Sequence, residues 1–199
     1  MRLRGRLATL VASALVGCAS TVVPPKAPEK CPPQTLSLSF LASSRLNPTP
    51  DGQSRPLVVR VYELKEDARL LNASFEQVWQ DDKATLADDV VKVQEVQVYP
   101  AQRVDLKVDR AEPVNHIAAV ALFREPKSRG WLSMIDLPPV PEAGKCGAAA
   151  CTDDDEDCLN MSVQNPRFAF WIDDSKIEDG VDHLDQFPTT GPMKGGGAP

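Results

Sequence analysis

The sequence predicts a mainly β protein, a two-sheet β-sandwich of about eight short strands with one or two short helices. Three observations carry that expectation. Short segments alternate apolar and polar residues with period two, the mark of half-buried strands. Clusters of Pro, Gly, Asn and Asp separate them. One segment alone has the apolar spacing of a helix, and no repeat is present.

Thr35 to Leu41 sets Leu36, Leu38 and Phe40 against Ser37 and Ser39, a strand with one polar face. The loop Ala42 to Pro56 follows, with the breakers Asn47-Pro48, Pro50 and Asp51-Gly52. In the second strand, Leu57 to Leu64, Leu57, Val59 and Val61 take one face and Val58, Arg60 and Tyr62 the other. Ser74 with Gln77 three residues on forms a capping box, and Phe75, Val78 and Trp79 make one apolar stripe expected to pack on the sandwich. Asp81 to Val90 is polar, with room for another helical turn. From Val91 to Tyr99 the apolar phase shifts from odd to even positions, which predicts a bulge or break near Gln94. Val104, Leu106 and Val108 alternate with Asp105, Lys107 and Asp109. Asn115 to Phe123 is almost continuously apolar, as a central strand is. Trp131 to Ile135 follows the Lys127-Ser128-Arg129-Gly130 turn, and Leu159 to Val163 and Arg167 to Ile172 complete the set.

The flanks divide the chain. Arg2, Arg4 and Arg6 precede an apolar run from Leu7 to Val16, too short to cross a bilayer, so residues 1–17 are expected to be a cleaved signal peptide. Leu15-Val16-Gly17-Cys18 resembles the lipobox of bacterial lipoproteins, which implies acyl chains on Cys18; Ala19 after it favours the outer membrane. Three acyl chains make a lasting anchor where one holds only marginally. Residues 18–34, with five prolines from Thr21 to Pro33, read as a tether. The sandwich is expected over residues 35–173, with an insert at 138–158, and a flexible tail over 174–199 that ends in glycines and proline.

The chain carries a net charge of −6, and −9 once residues 1–17 are removed, which leaves no electrostatic footprint for nucleic acid. Beside Cys18 stand Cys31, Cys146, Cys151 and Cys158, candidates for two disulfides with three possible pairings. Their spacing is not the paired spacing of a zinc site, and no metal or other cofactor is expected.

Arg55 to Asp82 (RPLVVRVYELKEDARLLNASFEQVWQDD) resembles the TssJ (VasD/Lip) family of type VI secretion lipoproteins. That family shows a "VRVYEL" strand followed by a Phe-Glu-x-x-Trp helix, here Phe75, Glu76 and Trp79. The likeness continues through Tyr99 to Val108 and His116 to Trp131, and spans most of Thr35 to Ile172. The resemblance implies a transthyretin-like sandwich. It also implies a lipoprotein at the periplasmic face of the outer membrane that binds the periplasmic C-terminal region of TssM and, through it, TssL. In the family the loop between the first two strands contributes to that contact, which points to Leu46, Asn47, Pro48, Thr49 and Pro50. The cysteine- and acid-rich insert and the Gly/Pro tail depart from the family pattern.

No catalytic residues are expected. Histidine occurs only as His116 and His183, and no nucleophile-elbow, metalloprotease or phosphate-loop motif is present. His116 is expected to be structural. Adjacent acids such as Asp88-Asp89 and Asp173-Asp174 would face opposite sides of a strand. The run Asp153 to Asp157 lacks the glycine and terminal glutamate of a calcium loop. The alternative to an assembly component is a periplasmic module for a small ligand or glycan. That reading needs exposed aromatic residues, whereas Trp79, Trp131 and Trp171 stand in apolar sequence contexts.

Overall fold

The computed structural model describes residues 31–143, 146 and 164–187. Eight strands form two four-stranded sheets: β1 (Thr35–Ala42), β2 (Leu57–Leu64), β3 (Val90–Val98), β4 (Arg103–Asp109), β5 (His116–Ala121), β6 (Leu132–Asp136), β7 (Arg167–Asp173) and β8 (Lys176–Asp179). One sheet has the order β4-β1-β7-β8 and the other β3-β2-β5-β6. All pairings are antiparallel except β1 with β7.

The alternation read from sequence places the core. Leu36, Leu38 and Phe40 on β1 point inward, Phe40 stacks on Phe170 at 5.2 Å, and Val59, Val61, Val96, Val98 and Ile117 meet them from the other sheet. The second sheet is also covered on its outer face, by helices α1 (Ala68–Asn72) and α2 (Phe75–Leu86). There Tyr62 is fully buried and its hydroxyl donates to Asp82 at 2.9 Å. Burial first, and then the neighbouring carboxylate, push that hydroxyl's pKa up. Ser74 caps α2 as expected, accepting from the Gln77 amide while the Gln77 side chain accepts from the Ser74 amide.

Several expectations are corrected. The register shift lies between Glu63 and Leu64 opposite Lys92 and Val90, so the extra residue is Val91 and not one near Gln94. Val91 and Val93 lie outward, beside α2, and so need no break to follow Val96 and Val98. Asp88 and Asp89 lie in a 3-10 turn, not a strand. Residues 174–187 are not a free tail. Lys176–Asp179 completes the first sheet, and a 3-10 segment, Val181–Gln186, folds over that sheet's outer face, His183 stacking on Trp171 at 4.1 Å. The strand expected at Leu159 to Val163 lies outside the described residues, as do residues 1–30 and 188–199.

Strand directions give the sandwich two distinct ends. β1 leaves the end where Cys31 stands and arrives, about 26 Å later at 3.3 Å per residue, at the end bearing the β1–β2 loop. The β3–β4, β5–β6 and β7–β8 turns share that loop end. The helices, the β4–β5 connection and both ends of the insert lie with Cys31 at the tether end.

Candidate anchoring and docking sites

At the tether end Cys31 and the residues after it are strapped to the sandwich. Cys31 and Cys146 form a disulfide with their Cα atoms 5.4 Å apart, which selects one partner for Cys31 among those the sequence left open. Cys18, Cys151 and Cys158 lie outside the described residues. The Gln164 amide donates to the carbonyls of Pro32 and Pro33, at 2.7 and 2.8 Å, and the Thr35 amide donates to the Gln164 carbonyl.

Buried Arg110 completes the strap. Its guanidinium donates to the Val114 carbonyl (2.7 Å), the Gln34 side-chain carbonyl (2.6 Å) and the Pro138 carbonyl (2.6 Å). Burial lowers its pKa, yet three carbonyl oxygens turn their dipoles on the cation. One side chain thus joins the start of β1, the β4–β5 connection and the root of the insert. Nothing in the sequence around Arg110 marks it for that role; two of its three partners are 76 and 28 positions away.

The loop end is built from short polar contacts. Ser43 Oγ donates to Asp173 at 2.6 Å, and the Arg45 guanidinium bonds the same carboxylate. Burial alone would raise the pKa of Asp173; the Ser43 and Arg45 hydrogen bonds outweigh it and hold the carboxyl below its ordinary value. Asp174 instead pairs with Lys127, so the adjacent acids part company.

The sequence-selected docking residues divide. Leu46 is fully buried and Asn47 nearly so, a correction to the expectation that both offer surface. Leu46 plugs the core. Asn47, at a φ of 46° that asparagine tolerates, receives the Arg124 amide on its side-chain oxygen and donates to the Pro56 carbonyl. Pro48 and Thr49 are half-buried and Pro50 is exposed. The tip is a tight turn: the Gly52 amide donates to the Thr49 carbonyl and the Gln53 amide to Thr49 Oγ1. Proline sits at the second turn position and Gly52 takes a φ of 79°, which disfavours a side chain although there is space for one. The exposed rim is therefore Arg45, Pro50 to Gln53 and Arg55.

One aromatic expectation also changes. Trp131 is buried, but Trp79 is 47% exposed, with the Arg60 guanidinium 5.5 Å from its ring centre and Phe75 stacked behind it. His116 pairs with Asp136 at 2.7 Å across β5 and β6. Among the described residues no three of His, Cys, Asp and Glu converge as a metal site would need.

The family model described as "Type VI secretion lipoprotein, VasD, EvfM, TssJ, VC_A0113" matches residues 34–158. Among solved structures, the T6SS lipoprotein TssJ1 from Pseudomonas aeruginosa is similar at 22% identity and a TM-score of 0.57, over 73% of this chain and 94% of that one. Serratia marcescens Lip, described as a membrane-bound component of the type VI secretion system, is similar at 20% identity and a TM-score of 0.59, over 74% and 96%. A chain in the structure described as the T6SS protein TssM C-terminal domain from EAEC is similar at 16% identity and a TM-score of 0.54, over 72% and 95%. At these identities the structural likeness shows the fold. Comparison with curated proteins finds no match.

Proposed function

The chain belongs to the type VI secretion lipoprotein family, and from that premise we propose that it links the outer membrane to TssM, held at one end by acylated Cys18 and docking through the β1–β2 loop at the other. The family is one of structural lipoproteins, not of enzymes. The observation that carries the proposal is the opposition of the two ends. The strap at Cys31, Gln34 and Arg110 fixes where the tether meets the sandwich, and the exposed rim of the β1–β2 loop lies a full strand length away.

The docking rim is shifted along the loop from where the sequence implied: half-buried Pro48 and Thr49 and exposed Pro50 to Gln53, flanked by Arg45 and Arg55, with Leu46 and Asn47 holding it in place. Its prolines and its turn lower the entropy lost on binding. The thirteen residues from Cys18 to Cys31 reach at most about 45 Å, which keeps the domain beside the periplasmic face of its membrane. Through TssM the link would extend to TssL.

Replacing Pro48 to Gln53 by Gly and Ser tests the docking site. Weakened binding of the periplasmic C-terminal region of TssM, with an unchanged melting temperature, is expected; unchanged affinity removes the loop from the site. Cys18→Ser tests the anchor: the variant should leave the membrane fraction and lose palmitate labelling.

Exposed Trp79, backed by Phe75 and Arg60, favours one second reading, a module for a glycan or small ligand. Saturable quenching of Trp79 fluorescence by periplasmic glycan fragments, lost in Trp79→Ala, would support it.

A further inference from the structure

The two sides of the sandwich are closed differently. On the β6–β8 side the Ile177 amide donates to the Gly130 carbonyl at 2.7 Å and joins the two sheets. On the other side β3 and β4 are the outer strands, each bonded to one neighbour. Charge guards β4, where Arg103, Asp105, Lys107 and Asp109 alternate along the outward face. A guard of that kind protects β3 only towards the tether end, at the Val91 bulge and Lys92. From there to Val98 the outward row is Val93, Glu95 and Gln97, and Arg60 takes up the Glu95 charge at 2.9 Å.

Strand parity identifies the backbone groups left over. The Leu122 amide donates to the Val58 carbonyl, so the even residues of β2 bond to β5 and the odd ones to β3. Val59 and Val61 stand opposite Val96 and Gln94. The N–H and C=O groups of Val93, Glu95 and Gln97 therefore point away from the sheet. Among the described residues no backbone group meets them there, and all three residues are exposed. Such a row is a template for one more strand.

The row is continuous with the docking rim. Val98 stands opposite Leu57, where the β1–β2 loop ends, and the Ala101 amide of the β3–β4 turn donates to the Ser43 carbonyl, where that loop begins. Tyr99 in this turn is 42% exposed, and tyrosine is a favoured anchor at interfaces. From Tyr99 to Val93 the edge runs about 20 Å at about 3.4 Å per residue.

We propose that the partner docked on the β1–β2 rim also lays an extended segment along β3 from Gln97 to Val93, adding a strand to the β3-β2-β5-β6 sheet, with Tyr99 anchoring its entry. Main-chain hydrogen bonds supply the affinity, and an apolar side chain beside Val93 supplies the choice of segment. A second copy of this chain fits less well. Two copies paired on one edge about a two-fold axis run antiparallel, which carries the copy's Cys31 to the loop end of the first and leads its tether back along the sandwich. A partner that meets the loop end first needs no such return. The inference rests on the docking reading for the identity of the partner.

The test uses the chain from residue 18 onward carrying Cys18→Ser, with the periplasmic C-terminal region of TssM as the probe. Residue-resolved hydrogen exchange is recorded free and at saturation, with affinity from calorimetry. The amides of Val93, Glu95 and Gln97 should exchange fast in the free chain and slow about tenfold or more in the complex. Tyr99→Ala should weaken binding about tenfold. Gln97→Pro removes one outward N–H while leaving the ladder to β2 whole, and should weaken it about fivefold; exchange on the unaltered edge decides if that variant does not fold. Saturated binding with all three amides still fast overturns the added strand and leaves docking at the rim standing. Slowing that survives replacement of Pro48 to Gln53 by Gly and Ser upholds the strand and removes the rim. No binding at all overturns both. Slowing in the free chain that grows with its concentration assigns the edge to a second copy and overturns the partner.

Discussion

The two ends of the sandwich are made stable by different physics. At the tether end a covalent crosslink and a buried guanidinium join segments far apart in sequence. At the loop end the contacts are exposed or half-exposed: Ser43 and Arg45 on Asp173, Lys127 on Asp174, and a turn closed on itself at Thr49 to Gln53. Exposed ion pairs contribute little, typically below about 1 kcal/mol, so the loop end is shaped chiefly by the Leu46 plug and by backbone geometry. One end is held by a covalent and a buried link, the other by packing and backbone geometry.

The largest effect that would break this contrast is expected at the crosslink. Cys31→Ala removes a bridge closing 115 residues, for which the chain-entropy account gives about 4–5 kcal/mol; urea unfolding measures it. A loss below about 1 kcal/mol would show the tether end to be held by its hydrogen bonds alone. Arg110→Met comes next. It leaves the Val114, Gln34 and Pro138 acceptors without their donor, at a cost of about 3 kcal/mol, and hydrogen exchange should quicken at Gln34 and Thr35 while the β7–β8 turn stays protected. Gly52→Ala is smaller, about 1 kcal/mol from the positive φ, with the disturbance confined to the loop tip in amide spectra.

The smallest test separates the ends by pH. Glu63, buried on β2 at the tether end with Lys92 at 3.8 Å, has its pKa raised above 4.5, first by burial. The stability tied to its neutral form is present below 4.5 and lost as pH rises through the folded value. Asp173 at the loop end has its pKa lowered below 3.8, so its contribution is present above that value and lost as pH falls through the folded one. Glu63→Gln should therefore flatten the neutral side of a melting-temperature profile, and Asp173→Asn the acid side. Profiles that move in the same direction would contradict the two assignments.

Much of the sandwich could be read from alternation. β2 was bounded at both ends by its pattern, and the Ser74–Gln77 cap needs only residues three apart. What could not be read depends on contacts between distant segments. Arg110 and Arg45 look like ordinary surface cations until Gln34, Pro138 and Asp173 are brought to them. Leu46 in a loop rich in breakers reads as surface; only the closing of the two sheets above it makes it core. Lys176 to Asp179 is too short and too polar to announce a strand, and gains its place from β7 beside it.

β1 sits inside its sheet, bonded to β4 on one flank and to β7 on the other, and leads from the strapped terminus to the β1–β2 loop. Tension between a membrane and a bound partner would therefore run along this strand and load both ladders in shear. Bonds loaded so must fail together, whereas bonds peeled from an edge fail one after another, so a pull along β1 meets far more resistance than one that peels a strand from the side.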